Sequence, residues 1–207
     1  VQLSGGDTTR GPMSISVTVF GIVPIGQAIR RSTARAGDSI YVTGELGDAG
    51  IALLGKLGEL KLTGPQQQYV NAKLNRPQPR LSTGAGLRNI ASSCIDISDG
   101  LTSDLGHILE QSGLGATVYV DQLPISDSYH EVFELAGGWT SALSAGDDYE
   151  LCFTMNDQQH AAMTHAFSSL NVPVSCIGMV ETIPGLRLQM PDGTIETSSA
   201  SGYEHFT

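Results

Sequence analysis

From Ser39 onward, short segments rich in β-branched residues alternate with segments whose apolar residues recur at helical spacing. Ser39–Thr43 predicts a strand, and the helix expected next begins at a capping Asp48 and ends near Leu57. Such alternation is typical of a layered domain in which helices cover a sheet. We therefore predict an α/β (α+β layered) fold for this part of the chain.

The other elements of this domain follow from the same two periodicities. Further strands are predicted over residues 116–121, 174–180 and 186–190, with another ending at residue 155. Helices are predicted over residues 66–74, 81–91, 126–135 and 157–170. The helix that begins near Gly100 carries a clear apolar stripe of Leu101, Leu105, Ile108 and Leu109.

Residues 13–23 alternate in polarity and are rich in Ser, Val, Thr, Phe and Ile, which predicts a strand. No partner strand precedes this segment, so we expect the chain to begin inside a domain whose other strands it lacks. We predict that residues 1–35 are a remnant of an N-terminal domain with a connector, and that residues 36–207 form a C-terminal α/β domain. We expect such a piece to be inactive on its own.

The stretch Asp96-Ile97-Ser98-Asp99-Gly100-Leu101 joins a predicted strand to a predicted helix. In an extended backbone Asp96 and Ser98 point to one side, while Ile97 points to the other. The chain then turns at Asp99 and Gly100. Carboxylate oxygens suit magnesium, and a helix N-terminus suits phosphate. The motif therefore predicts a metal and phosphate site.

A simpler interpretation of the same residues stays open. Ser98 or Asp99 could merely cap the helix that follows, because both are common N-cap residues. Asp96 favours the metal site, since a carboxylate at the end of an apolar strand needs a partner or water.

Two other polar stretches are candidates for binding. Residues 146–151 read Gly-Asp-Asp-Tyr-Glu-Leu, with three acids in four residues just before a strand; the alternative is a solvated turn. Gly5-Gly6-Asp7 could bring the backbone close to a phosphate and add a metal ligand, although an ordinary turn explains these residues alone. Arg31 is a candidate phosphate contact.

Composition excludes several classes of protein. The net charge is −10, with 21 acidic and 11 basic residues, which argues against nonspecific nucleic-acid binding. Apolar runs are too short for a membrane span, and no secretory leader is visible. The three widely spaced cysteines match neither a disulfide framework nor a zinc motif, so we expect a cytoplasmic protein. The sequence contains no Gly-Lys-Ser/Thr, which excludes a P-loop kinase.

Taken together and in order, the motifs resemble those of thiamine-monophosphate kinases. The resemblance is carried by Gly5-Gly6-Asp7-Thr8, Arg31-Ser32, the run from Arg76 to Arg80, the run from Asp96 to Leu101, the run from Gly146 to Leu151, and Gly202-Tyr203-Glu204-His205-Phe206. It implies the C-terminal domain of the aminoimidazole ribonucleotide synthetase-like fold. It also implies ATP-dependent phosphorylation of thiamine monophosphate to thiamine diphosphate, assisted by Mg²⁺.

The resemblance further implies a role for each matching residue. By this resemblance Asp7, Asp96 and Asp99 bind magnesium, and Gly6, Arg31 and Ser98 bind ATP. Asp147 and Tyr203 contact the thiamine moiety. Asp96, Asp99 and Arg31 act in phosphoryl transfer. Many members of the family have Glu where this chain has Asp147.

The resemblance implies a homodimer for the full-length protein, with residues 1–35 belonging to its ATP-binding domain. Two alternatives remain open at this stage. One is a non-catalytic module that binds ATP or a metabolite, and the other is a related enzyme such as a selenophosphate synthetase.

Overall fold

The structure is a computed structural model that describes residues 2–198. Its strands are β1 (Ser39–Thr43), β2 (Ser93–Ile97), β3 (Gly115–Tyr119), β4 (Glu150–Met155), β5 (Val174–Glu181), β6 (Gly185–Gln189) and β7 (Ile195–Ser198). They form a seven-stranded sheet in the order β2-β4-β1-β5-β3-β6-β7. Neighbouring strands are antiparallel except β3 and β6, which run parallel.

The helices of the described region cover this sheet. They are α1 (Asp48–Leu57), α2 (Gly64–Asn75), α3 (Leu81–Gly86), α4 (Leu101–Ser112), α5 (Asp127–His130), α6 (Thr140–Ser144) and α7 (His160–Phe167). No helix among residues 2–198 combines the length and the apolar character that crossing a bilayer would need.

Strand β1 is buried at every residue because helices cover both of its faces. Ile40 and Val42 pack into the larger core with apolar residues of α1 and α4. Tyr41 faces the other way and stacks on Phe153 of β4, with ring centroids 5.4 Å apart. Phe167 of α7 joins this second core. The predicted α/β layered architecture is therefore confirmed.

Helix α4 forms where the apolar stripe predicted it. Leu101, Leu105 and Ile108 are at most 1% exposed and face the larger core. The helix ends at Gly113, which adopts a left-handed conformation with φ of 67°. This helix follows β2 directly, so its first turn fixes the position of the Asp96–Leu101 motif.

Several predicted elements differ from the structure. Residues 13–23 form no strand, and their side chains are exposed. The prediction was wrong because alternation alone does not make a strand; a neighbouring strand must supply hydrogen bonds and a core must cover one face. The helices predicted over residues 81–91 and 126–135 are shorter, since turns follow α3 and α5. Strand β7 and helix α6 were not predicted.

Asp48 does not cap α1 as predicted. The residue before the helix is Gly47, with φ of 85°, and no side chain caps the helix there. Asp48 is the first helical residue, and its Oδ1 instead accepts a hydrogen bond from Ser126 Oγ at 2.6 Å. Local sequence predicts a cap because it cannot show that Ser126, far along the chain, competes for the carboxylate.

The segment before Arg31 has neither helix nor strand within the described residues, and most of its side chains are exposed. The ordered domain begins with a short 3-10 helix at Arg31–Thr33. Thr33 Oγ1 donates a hydrogen bond to Ser92 O at 2.6 Å, just before β2. The domain division at residues 35 and 36 stays a prediction.

Candidate functional site

Asp96 lies near the end of β2 with its side chain exposed to solvent. Ile95 and Ile97 point to the opposite face and are buried, at 4% and 0% exposure. Within residues 2–198, no side chain forms an ion pair with the Asp96 carboxylate. The predicted division of faces is confirmed, and Asp96 is available to a ligand.

The turn from β2 into α4 is held by Asp104, a buried residue of the helix. Its Oδ2 accepts hydrogen bonds from the backbone N–H groups of Ser98 at 2.9 Å and Asp99 at 3.0 Å. Burial raises the pKa of Asp104, and these two hydrogen bonds oppose that rise. Gly100 precedes the helix, and no side chain caps the helix N-terminus. The capping interpretation of Ser98 and Asp99 is therefore wrong, and their side chains remain available.

The two acidic motifs are joined through their backbones. The N–H of Asp147 donates to Ser98 O at 3.0 Å, and the N–H of Tyr149 donates to Ile97 O at 2.8 Å. Gly146 makes this approach possible, because a Cβ at this residue would lie 2.4 Å from Ser98 O. The loop before β4 is thus fixed against the end of β2.

Two of the three acids in this loop are structural. The Asp148 carboxylate accepts hydrogen bonds from Gly47 N–H, with both oxygens 3.0 Å from the nitrogen. Burial raises the pKa of Asp148 well above its ordinary range, and the Gly47 contact opposes that rise. Glu150 is 4% exposed and pairs with Arg80, whose Nε lies 2.7 Å from Oε2. Thr43 Oγ1 donates to the same oxygen at 2.6 Å.

Asp147 is the acid of this loop that faces solvent. Its φ is 68° and that of Tyr149 is 52°, so both residues occupy the left-handed region that side chains disfavour. The Tyr149 hydroxyl donates to Asp147 Oδ1 at 3.1 Å. A solvated turn therefore describes Asp147 but not Asp148 or Glu150.

Arg31 and Asp96 line one open groove of about 360 Å³, which we call the Arg31 groove. Its other lining residues include Arg88 and Leu151. The backbone carbonyl of Arg31 accepts a hydrogen bond from Ser112 Oγ at 3.1 Å, at the end of α4. The structure thus brings a guanidinium and a carboxylate, predicted separately from the sequence, to the same surface.

Other predicted site residues are not brought to this surface. Gly6 and Asp7 lie in the exposed N-terminal segment, where the Asp7 carboxylate accepts a hydrogen bond from the N–H of Thr8 at 2.7 Å. Tyr203 lies outside the described residues. Their predicted roles stay predictions.

The donors at the β2–α4 turn fit part of a magnesium site. Asp96 and Asp99 contribute carboxylates and Ser98 a hydroxyl, all hard oxygen ligands, and neither carboxylate is in an ion pair within residues 2–198. In the same region no cluster of three or more Asp, Glu, His or Cys side chains could enclose a metal ion. The turn therefore suits a metal that takes its remaining ligands from phosphate and water.

A second concavity was missed by sequence reasoning, and we call it the Asp48 cleft. It has a volume of about 320 Å³, and its lining residues include Glu45, Asp48, Tyr69, Lys73, Arg80 and Asp147. These residues come from the start of α1, from α2 and the loop after it, and from the loop before β4. No local pattern could reveal the cleft, because it forms only when three distant segments meet.

Comparison with known proteins assigns the fold to a family. Residues 35–190 match the family model described as AIR synthase related protein, C-terminal domain. The thiamine-monophosphate kinase of Salmonella typhimurium strain LT2 is 44% identical over 208 residues, covering 100% of this chain and 64% of that protein. The enzyme of the same name from Escherichia coli strain K12 is 46% identical over 212 residues, again covering 100% of this chain and 64% of that protein.

Solved structures agree with the sequence comparison. The thiamine-monophosphate kinase of Stenotrophomonas maltophilia K279a has a TM-score of 0.74 and 40% identity, covering 83% of this chain and 55% of that one. AaThiL complexed with AMPPCP and TMP has a TM-score of 0.72 and 29% identity, covering 86% of this chain and 54% of that one. The chain thus spans about two-thirds or less of the length of these relatives, and it belongs to the family of AIR synthase related proteins through their C-terminal domain.

Proposed function

We propose that the protein carrying this chain transfers the γ-phosphoryl group of ATP to thiamine monophosphate, giving thiamine diphosphate and ADP. Relatives 44% and 46% identical over the whole chain are thiamine-monophosphate kinases. A related structure, AaThiL, is complexed with AMPPCP and TMP. The observation that carries the proposal is the hydrogen bond from Asp147 N–H to Ser98 O. It holds the Asp96–Leu101 motif, the candidate magnesium site, beside the loop of Asp147, the candidate thiamine contact.

The acceptor determines what the protein must supply. A phosphate oxygen of thiamine monophosphate is already ionised near neutral pH, so no strong general base is required. A bond forms between that oxygen and the γ-phosphorus while the bond to the β-phosphate oxygen breaks, and ADP leaves. The main obstacle is repulsion between two anions, so catalysis rests on charge neutralisation and alignment.

Each site residue contributes to that neutralisation or alignment. Asp96, Asp99 and the more distant Asp7 would hold Mg²⁺, which neutralises phosphate charge when bound. Arg31 would bind phosphate oxygens through its planar guanidinium, and Ser98 would orient the nucleotide beside it. Gly6 would allow the backbone to approach a phosphate.

The thiamine moiety would lie on the side of Asp147. A carboxylate there complements the positive charge of the thiazolium ring. Tyr203 would present an aromatic face to the same cation, a contact worth about 0.5–2 kcal/mol. We further propose that the enzyme acts as a homodimer in the cytoplasm and needs no nucleic acid or membrane.

The test is release of ADP that depends on thiamine monophosphate. We expect purified natural protein containing residues 1–207 to release ADP only when ATP, Mg²⁺ and thiamine monophosphate are all present, and to form thiamine diphosphate in equal amount. Hydrolysis of ATP at the same rate without thiamine monophosphate would contradict the proposal. Chelation of Mg²⁺ with EDTA should abolish the reaction, and added Mg²⁺ should restore it.

A further inference from the structure

The Asp48 cleft contains a carboxylate oxygen that the fold does not satisfy. Asp48 is 1% exposed, and its Oδ1 is bonded to Ser126. Its Oδ2 has no hydrogen-bond partner among the described residues. Lys73 Nζ lies 3.9 Å from Oδ2, which is an ion-pair distance but too long for a hydrogen bond. A buried polar atom without a partner costs free energy, so its retention in a cleft indicates a ligand that completes it.

The neighbouring groups define the chemistry of that ligand. Asp48 Oδ2 accepts a hydrogen bond, whereas the Lys73 ammonium donates one, so the pair matches a molecule with a donor beside an acceptor. Tyr69 adds an aromatic wall to the cleft, and Lys73 Nζ lies 5.3 Å from the centroid of its ring. These features suit a flat heteroaromatic ring with an amino group next to a ring nitrogen.

The charge of the cleft disfavours a polyanionic ligand. Five of its lining residues are acidic (Glu45, Asp48, Asp147, Asp148 and Glu150) and three are basic (Lys73, Arg76 and Arg80). Its volume of about 320 Å³ is at the small end of ligand pockets and suits one substituted ring. Asp147 lines the cleft, whereas Arg31 and Asp96 line the separate Arg31 groove.

We infer that the Asp48 cleft binds the aminopyrimidine ring of thiamine monophosphate, with Asp48 accepting from its amino group and Lys73 donating to its adjacent ring nitrogen. This inference rests on the proposed function for the identity of the ligand. It adds Asp48, Lys73 and Tyr69 to the substrate site and places the ring in the cleft that Asp147 also lines.

The test measures binding of the pyrimidine half alone, 4-amino-5-hydroxymethyl-2-methylpyrimidine, by titration calorimetry with the natural protein that carries this chain. Asp48→Asn preserves an oxygen for Ser126 but replaces the acceptor at Oδ2 with a donor. We expect it to raise the Kd for this pyrimidine at least tenfold, equal to about 1.4 kcal/mol. Lys73→Met, a substitution at a residue whose side chain is 38% exposed, should also raise the Kd, and thermal unfolding of each variant checks that it is folded.

Asp157→Asn is the matched control. Asp157 accepts a hydrogen bond from Ser39 Oγ at 2.6 Å, the same type of contact that Asp48 makes with Ser126, but it does not line the cleft. The control should bind the pyrimidine like the wild-type protein. Adenosine, which also has an amino group beside a ring nitrogen, should bind both proteins equally, and a loss of adenosine binding in Asp48→Asn would overturn the choice of ring.

The possible outcomes separate this inference from the proposed function. Pyrimidine binding that depends on Asp48 and Lys73, in a protein without kinase activity, supports the inference and overturns the function. Normal kinase activity with unchanged KM for thiamine monophosphate in both variants overturns the inference and leaves the function. Absence of both pyrimidine binding and kinase activity overturns both.

Discussion

Asp147 donates its backbone N–H to the carbonyl oxygen of Ser98 at 3.0 Å, and this contact joins the two acidic motifs of the chain. The side chains of both residues stay available, because the joint uses only backbone atoms. Two groups with different proposed ligands, one for nucleotide and one for thiamine, are thereby held in a fixed relation. Precise spacing of this kind is what alignment of a donor and an acceptor requires.

The joint depends on Gly146, and we predict that Gly146→Ala disrupts it. The added Cβ would lie 2.4 Å from Ser98 O, so the loop must shift away from β2. Overpacking of this kind costs about 1–3 kcal/mol. We expect a lower Tm and at least a tenfold loss of kinase activity.

Gly64→Ala is the control for this substitution. A Cβ at Gly64 would meet nothing within 4 Å, and the residue lies at the start of α2. Its Tm and activity should match those of the wild-type protein. Unchanged activity in Gly146→Ala would show that the loop position is not important for turnover.

The second prediction concerns the carboxylates at the β2–α4 turn. Asp96→Asn should remove most kinase activity while changing the free energy of unfolding by no more than about 0.5 kcal/mol, because the side chain is exposed and makes no ion pair within the described residues. Asp99→Asn should behave in the same way. Activity assays and urea denaturation measure the two effects, with the exposed Asp121→Asn as control.

Substitution of Asp104 should, in contrast, lower the free energy of unfolding of the protein. Asp104→Ala leaves two backbone N–H groups without their acceptor, which costs about 1–3 kcal/mol. Urea denaturation of Asp104→Ala beside Asp96→Asn should therefore separate a residue that positions the turn from one that contacts ligand. Equal stability of the two variants would contradict this division.

The third prediction concerns the ion pair between Arg80 and Glu150. Arg80→Met removes the partner of a carboxylate whose side chain is 5% exposed. Removing one member of a buried pair costs about 3–5 kcal/mol, since the other charge is left uncompensated. Chemical denaturation should show a loss of this size. Arg88→Met is the control, because Arg88 makes no ion pair within residues 2–198, and it should change stability by no more than about 0.5 kcal/mol.

The fourth prediction concerns pH and Asp48. Burial is the main cause that raises the pKa of Asp48 to about 6, and the Ser126 hydrogen bond and Lys73 oppose it. The native state therefore holds this proton at pH values where the unfolded state has lost it, and stability falls as pH rises from about 4 to above 6. At pH 7.5, where the native carboxyl is ionised, its burial destabilises the fold.

Asp48→Asn removes this titration. We expect the variant to be more stable than the wild-type protein by about 1–3 kcal/mol at pH 7.5, and the difference to narrow as pH falls towards 4. Urea denaturation at several pH values measures it. A difference independent of pH would contradict the prediction. Higher stability combined with weaker pyrimidine binding would also identify a residue retained for function at a cost to the fold.

Much of the layered domain could be predicted from periodicity. The apolar stripe of α4 and the two faces of β2 appear directly in the sequence, because each depends on residues a few positions apart. The segment at residues 13–23 shows the limit of that method, since its alternation predicts a strand but finds no partner within the described chain. Strand formation depends on pairing, which a local pattern does not contain.

The site was predictable only in part, for a related reason. The chemistry of the motif from Asp96 to Leu101 can be inferred from its own carboxylates and hydroxyl. The role of Asp104 in holding that motif, and the division of the acidic loop into structural Asp148 and exposed Asp147, depend on contacts with other segments. Asp48 was interpreted as a helix cap because Ser126 and Lys73 approach it only in the folded chain.

The strand order has a consequence for how the protein folds. Strand β1 lies between β4 and β5 in the sheet. Ser39 can therefore pair with Met155 and Met179 only after these later segments of the chain have been synthesised. Chains dominated by such distant pairings fold slowly, in about milliseconds to seconds. The entropy of closing long loops is lost before the paired strands can stabilise the fold. During synthesis, β1 therefore leaves the ribosome long before either partner strand. The joint between Ser98 and Asp147 lies at the end of the β2–β4 pairing, so it can form only after β4 has docked against β2.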